Sequence, residues 1–318
     1  MMITTGIGVR LLSGWALLGA VACGATGDKA GQSLKTTDFN ADTAMSYVRA
    51  QLAFGPRVPG SEAARRTGDW IAGLLRKTAD TVSEQTWVQA QTTRMGGRKI
   101  AMRNIFARFK PAATERVLYV THWDTRPVAD MEDDSAKQKL PIPGADDGAS
   151  GVALLLSVAD ALRKSAPGVG VDLLFVDGED WGTWGPPDAD VLFGSTYFAE
   201  HLATFPGPGY KPLYGVLWDM IGDVDLEILQ EENSVNAAPE VVQRVWDQAR
   251  KFGYESYFSQ RTQPPITDDH VPLIKAGLRV IDVIDIVYDC HHKLCDTIDK
   301  VSAKSLKIVG DVALALVR

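Results

Sequence analysis

Val171-Asp172-Leu173-Leu174-Phe175-Val176 is almost wholly apolar and stops abruptly at Asp177-Gly178. A strand with one wet face alternates apolar and polar residues. This one does not, so it is expected inside a parallel-type sheet covered by helices on both sides. The turn that ends it carries two adjacent acids, Glu179 and Asp180. In open α/β sheets the ligand crevice lies outside the carboxyl ends of the strands. Acids placed there can divide the labour, one holding a cation through oxygen and the other free to carry a proton. Taken alone, Asp-Gly-Glu-Asp reads as a solvated turn; the rest of the chain changes its weight.

Other apolar runs end in the same way. Arg116–Thr121 delivers His122, Leu213–Trp218 delivers Asp219, and Val280–Ile286 is followed a few residues later by His291 and His292. Asp147 stands in Gly144-Ala145-Asp146-Asp147-Gly148-Ala149-Ser150-Gly151, just before a helix expected from Ser150 to Lys164. The small residues there let the backbone approach whatever the carboxylate binds. Further helices are expected over Asn40–Ala53, from the cap Ser61 to Thr78, near Ser195–Leu202, over Pro239–Lys251 and over Ser302–Val317. Thr81–Ala90 and Arg103–Lys110 read as strands, with a hairpin turn at Thr92–Arg98. Parallel strands bring their carboxyl ends to one edge, so His122, Asp147, Glu179, Asp180, Asp219 and His292 can converge although distant in sequence. Mixed histidine and carboxylate donors with nothing softer suit Zn²⁺.

With 318 residues, 45% hydrophobic and 23% charged, the chain can bury a large core, and no internal repeat or second core is visible. Its net charge of −7 and lack of basic runs give a nucleic-acid backbone nothing to bind. Arg10 followed by the apolar stretch Leu11–Val21 and the small residues Ala20-Val21-Ala22 reads as an export signal over residues 1–22. Cys23 follows as the lipid-modified cysteine of a bacterial lipoprotein does, although Ala20 occupies the usual place of Leu. Residues 23–37 then read as a flexible tether and 38–318 as one catalytic domain. The expectation is an exported monomer, periplasmic or held to a membrane through Cys23, with free secretion as the lesser alternative. The two remaining cysteines, Cys290 and Cys295, either pair or stay as buried thiols.

In order along the chain, Gly55-Pro56-Arg57-Val58-Pro59-Gly60-Ser61, His122-Trp123-Asp124-Thr125-Arg126-Pro127, Gly144 to Gly151, Asp177-Gly178-Glu179-Asp180, Trp218-Asp219-Met220-Ile221-Gly222, Asp268-Asp269-His270 and His292 with Asp296-Thr297 resemble the zinc glutaminyl cyclases. Those enzymes share a superfamily with the M28 zinc aminopeptidases. The resemblance implies a three-layer αβα domain around a central mixed, mostly parallel sheet. It implies Asp147, Asp180 and His292 as ligands of one zinc, Glu179 as acid and base, Asp219 and Asp268 in a hydrogen-bond network beside it, and His122 and Trp184 lining the substrate site. In the aminopeptidase pattern His122 and Asp219 bind a second zinc and Asp147 bridges the two. Departures from the animal cyclases are Asp180 in place of Glu, Asp282 in place of a histidine, and His291 in place of a Trp.

The implied reaction closes an N-terminal glutamine of a peptide or protein into pyroglutamate with loss of ammonia. The rival reaction hydrolyses the first peptide bond, and a third possibility is a lipoprotein that binds peptides without turnover. An intact Glu179 beside Asp180 speaks against the third.

Overall fold

The computed structural model describes residues 37–90, 96–182 and 190–318. The expected leader and nearly all of the expected tether, Cys23, part of the expected hairpin turn and Trp184 lie outside them.

Asn40 caps α1 (Ala41–Leu52) by accepting from the Thr43 N–H at 2.9 Å, and Ser61 caps α2 (Glu62–Thr78) by accepting from Ala64 at 3.1 Å. Then come β1 (Thr81–Ala90), β2 (Lys99–Phe109), β3 (Arg116–His122), α3 (Ala149–Lys164), β4 (Gly170–Val176), α4 (Phe193–Glu200) and β5 (Tyr214–Asp219). The chain finishes with β6 (Ile228–Glu231), α5 (Glu232–Ala237), α6 (Pro239–Lys251), β7 (Phe258–Gln263), α7 (His270–Lys275), β8 (Val280–Ile284) and α8 (Ala303–Ala315). No helix among the described residues is long and apolar enough to cross a membrane.

Six strands form one mixed sheet in the order β1-β2-β4-β3-β5-β8. β1, β2 and β4 pair antiparallel, whereas β4, β3, β5 and β8 run parallel. The uninterrupted apolar run of β4 is explained by its two covered faces. Val171, Leu173 and Phe175 enter a core shared with α1, α2, α3, α6 and α8, while Leu174 and Val176 meet Phe198 of α4 and Leu273 of α7.

Asp172 interrupts that strand for a reason the apolar reading leaves out. It is fully buried, accepts from Arg116 Nε at 2.8 Å, Arg108 Nε at 3.2 Å and the Tyr210 hydroxyl at 2.9 Å, and is met again by Arg116 Nη2. Truncating one partner leaves the buried Arg116 guanidinium without its countercharge. Asp172→Ala is therefore expected to cost about 3 kcal/mol of stability, read as a lower denaturation midpoint in urea at unchanged slope.

The short parallel pair β6–β7 has no signature in the sequence. In β7 only the terminal Phe258 and Gln263 are buried, so Ser259, Gln260, Arg261 and Thr262 carry the composition of a polar loop.

Candidate active site

β3 has β4 on one side and β5 on the other, so the chain reverses its direction of strand addition there, and its carboxyl end faces the crevice such a reversal opens. His122 ends β3 and Asp219 ends β5; both are buried, with His122 Nε2 3.0 Å from Asp219 Oδ1 and 3.1 Å from Asp147 Oδ1. Asp147 reaches this point from the loop before α3. Arg57, fully buried, donates to the carbonyls of Pro143 and Gly144 at 2.6 Å each and so fixes that loop from below. Gly148, at φ +83°, follows; a Cβ there would lie 2.9 Å from the His122 ring and from the Asp124 carbonyl.

On the other side of Asp147 stands His292. Its Nε2 is 3.2 Å from Asp180 Oδ1 and 3.8 Å from Asp147 Oδ2, so one imidazole nitrogen faces both carboxylates. Its Nδ1 lies 3.4 Å from Asp130 Oδ1, and Arg126 holds Asp130 through Nε at 2.8 Å and Nη2 at 2.6 Å. A carboxylate behind a histidine is the arrangement that fixes the ring of a metal ligand. Arg126 also donates to Asp180 Oδ1 at 2.8 Å.

A cavity of about 330 Å³ opens over this floor, lined by Glu179, Asp147, Asp219, Asp268, His291 and His292 among polar residues and by Met220, Ile266, Ile284 and Ile286 among apolar ones. The resemblance sets His122 on the wall. In the structure His122 is fully buried and faces Asp147 and Asp219.

The electrostatics favour a cation. Burial alone would lower the His292 imidazole, but Asp180, Asp130 and Asp147 outweigh it and push it up to about 10. His122 is likewise held well above the ordinary range; burial opposes this, and Asp219, Asp124 and Asp147 overcome it. Five carboxylates, those of Asp124, Asp130, Asp147, Asp180 and Asp219, surround these two imidazoles, a concentration of negative charge that a divalent ion would neutralise in part. Asp180 Oδ2 is buried without a hydrogen-bond partner, another free oxygen donor. Ligand atoms within 4.8 Å of one another are offered by His122, Asp147 and Asp219, by Asp147, His291 and His292, and by Asp268, His270 and Asp282. Each of these groups mixes histidine and carboxylate donors, the kind that suits zinc, and none of them includes Asp180.

Glu179 stands on the wall of that cavity. Burial first and the charge of Asp180 second raise its carboxyl well above the ordinary value, and burial with the charge of Asp219 takes Asp268 to about 7.

Two supporting residues gain their roles only from the structure. Asp124 accepts from the N–H groups of Glu179 and Asp180, both at 3.2 Å, and so aims the acidic pair. Asp296 accepts from the N–H groups of Asp146 at 2.8 Å and Asp147 at 3.2 Å, and from the Tyr288 hydroxyl at 2.8 Å.

Several proteins of known sequence or structure are similar to this chain. A glutaminyl-peptide cyclotransferase of Bos taurus is 27% identical over 274 residues, 72% of this chain and 67% of that protein. A Bacteroides thetaiotaomicron glutaminyl cyclase bound to N-acetylhistamine superimposes with a TM-score of 0.83 at 33% identity, covering 89% of this chain and 99% of that one. A leucine aminopeptidase precursor from Bacteroides thetaiotaomicron superimposes equally well, with a TM-score of 0.84 at 33% identity over 89% and 98% of the two chains. A probable zinc metalloprotease of Pyrenophora tritici-repentis is 33% identical over 184 residues, 52% of this chain; the chain spans only 34% of that longer relative. The profile of peptidase family M28 matches residues 104–317, from within β2 to just past α8, and so takes in every strand end and loop that supplies the cluster; the chain belongs to that family.

Proposed function

We propose that the chain is a glutaminyl-peptide cyclotransferase that uses one zinc held by Asp147, Asp180 and His292. The observation that carries this reading is the presence of two buried acids, Glu179 and Asp268, on the wall of one small cavity with Asp147 and His292. Ring closure of an N-terminal glutamine forms a bond between the α-amine nitrogen and the side-chain amide carbon and breaks the bond from that carbon to the amide nitrogen. A proton must leave the amine and another must reach the departing ammonia.

Zinc, when bound, supplies Lewis-acid polarisation of the amide oxygen. Glu179, its carboxyl raised by burial and by Asp180, takes the proton from the attacking amine and returns it to the leaving nitrogen. Asp268, beside it with a carboxyl near 7, completes the network that holds the amine. Met220, Ile266, Ile284 and Ile286 exclude water along one side and favour the curled substrate in which amine and amide carbon meet. The apolar leader and Cys23 add export to this reading, and with it an oxidising compartment.

A second reading, a two-zinc aminopeptidase, draws on the His122, Asp147 and Asp219 cluster, which offers a second set of donors. There Glu179 activates water and the first peptide bond is cut. Incubation of purified protein with a Gln-initiated and a Leu-initiated peptide separates the two. The expected result is ammonia and a 17 Da loss from the first (roughly one ammonia, by the closure reaction), with neither peptide shortened and near one zinc per chain. Release of free leucine with near two zinc ions per chain overturns the cyclase reading.

A further inference from the structure

Cys290 and Cys295 are joined by a disulfide with their Cα atoms 5.4 Å apart, closing a loop that contains His291 and His292. Within it His292 adopts φ +54°, a left-handed conformation that residues with a Cβ avoid. Such a backbone persists only where the surroundings over-determine it. Three tight backbone hydrogen bonds shape the turn: His291 N–H to Tyr288 at 3.2 Å, Lys293 N–H to Cys290 at 3.0 Å and Asp296 N–H to Lys293 at 3.2 Å. Outside the loop, the Met131 N–H reaches the His292 carbonyl at 3.3 Å and the Leu294 N–H reaches Glu132 at 2.9 Å. All of these are single hydrogen bonds, two of them to a partly exposed segment.

The two ends of the loop differ. Cys290 is buried against Tyr288 and against Met220 and Ile284 of the cavity wall, whereas Cys295 is exposed. Next to Cys295, Asp296 is tied to the backbone of Asp146 and Asp147. The bridge therefore couples the exposed end of the loop to the site wall and, through Asp296, to the backbone of a second candidate ligand, with His292 between.

We infer that the Cys290–Cys295 bridge is a positioning device for the metal centre: it holds His292 in the left-handed turn that presents Nε2 to Asp180 and Asp147. This rests on the zinc reading of the site. Without the bridge, His292 can relax to an ordinary backbone conformation, and its imidazole leaves the two carboxylates. The bridge acts through His292; neither cysteine lines the cavity.

The test uses zinc-loaded protein challenged with an excess of chromogenic chelator, below the melting temperature. Wild type is compared with the Cys290→Ser/Cys295→Ser double variant and with wild type reduced by a phosphine, which becomes the phosphine oxide as two thiols form. Zinc release is expected to rise about 10–100-fold in both, the range seen when groups that orient a ligand are lost. Reoxidation restores slow release in wild type alone. Unchanged release, with two thiols titrated per reduced chain and the metal-free melting curve lowered, shows a bridge that merely stabilises the fold and overturns the positioning role. If the double variant fails to fold, the reduced wild type carries the same comparison. Wild type that takes up no zinc overturns the metal reading itself.

Discussion

Glu179→Gln is expected to lower turnover of a Gln-initiated peptide by about 10²- to 10⁴-fold while zinc content stays at the wild-type level. The amide matches the carboxylate in shape and keeps hydrogen-bonding capacity, but it cannot accept a proton and hand it on. The neighbour Asp180, whose Oδ1 lies 3.2 Å from His292 Nε2, keeps its contacts. The Glu179 N–H remains bonded to Asp124, so the acidic turn should keep its backbone. Zinc measured by atomic absorption and ammonia release measured by coupled assay separate the two effects. Loss of zinc together with activity would make Glu179 a ligand or its support; unchanged turnover would remove it from the mechanism and leave Asp268 as the remaining proton carrier on the cavity wall.

The same residue shows what a chain reveals before it is folded. Glu179 was legible because the strand before it is apolar on both faces and therefore had to be central, and a central parallel strand delivers its next residues to the ligand edge. His122 and Asp219 were legible for the same reason. Their side was not. His122 Nε2 meets Asp219 at 3.0 Å, a pairing across 97 residues that depends on β3 and β5 being neighbours, and strand order is not written in the periodicity of either strand.

Asp124 and Asp296 were harder still. Each works by accepting backbone N–H groups from a loop far along the chain, 55 or 56 residues away for Asp124 and about 150 for Asp296. Every non-proline residue carries the same backbone donor, so the partner leaves no trace in residue identity. The disulfide belongs to this class: two cysteines five apart permit a bridge, and only the geometry of the loop between them decides it.

The adjacent histidines give the second large effect. His292→Ala is expected to cost more than about 100-fold in zinc affinity, beyond the loss usual for a group that merely orients a ligand, and to abolish turnover with it. His291→Ala is expected to retain zinc and change KM. The two imidazoles are close, with ring centres 3.9 Å apart, and both fall within reach of Asp147. What separates them is support. His292 has Asp130 behind Nδ1 at 3.4 Å, itself clamped by Arg126, and has Asp180 and Asp147 before Nε2. His291 is pushed down to about 4 by burial and by the charge of His292, so it stands neutral on the cavity wall, suited to packing against substrate. Zinc titration of both variants with a competing chelator reads the difference directly. If His291→Ala loses the metal and His292→Ala keeps it, the ligand is the other histidine, and the support from Asp130 and Arg126 serves a residue that faces substrate instead.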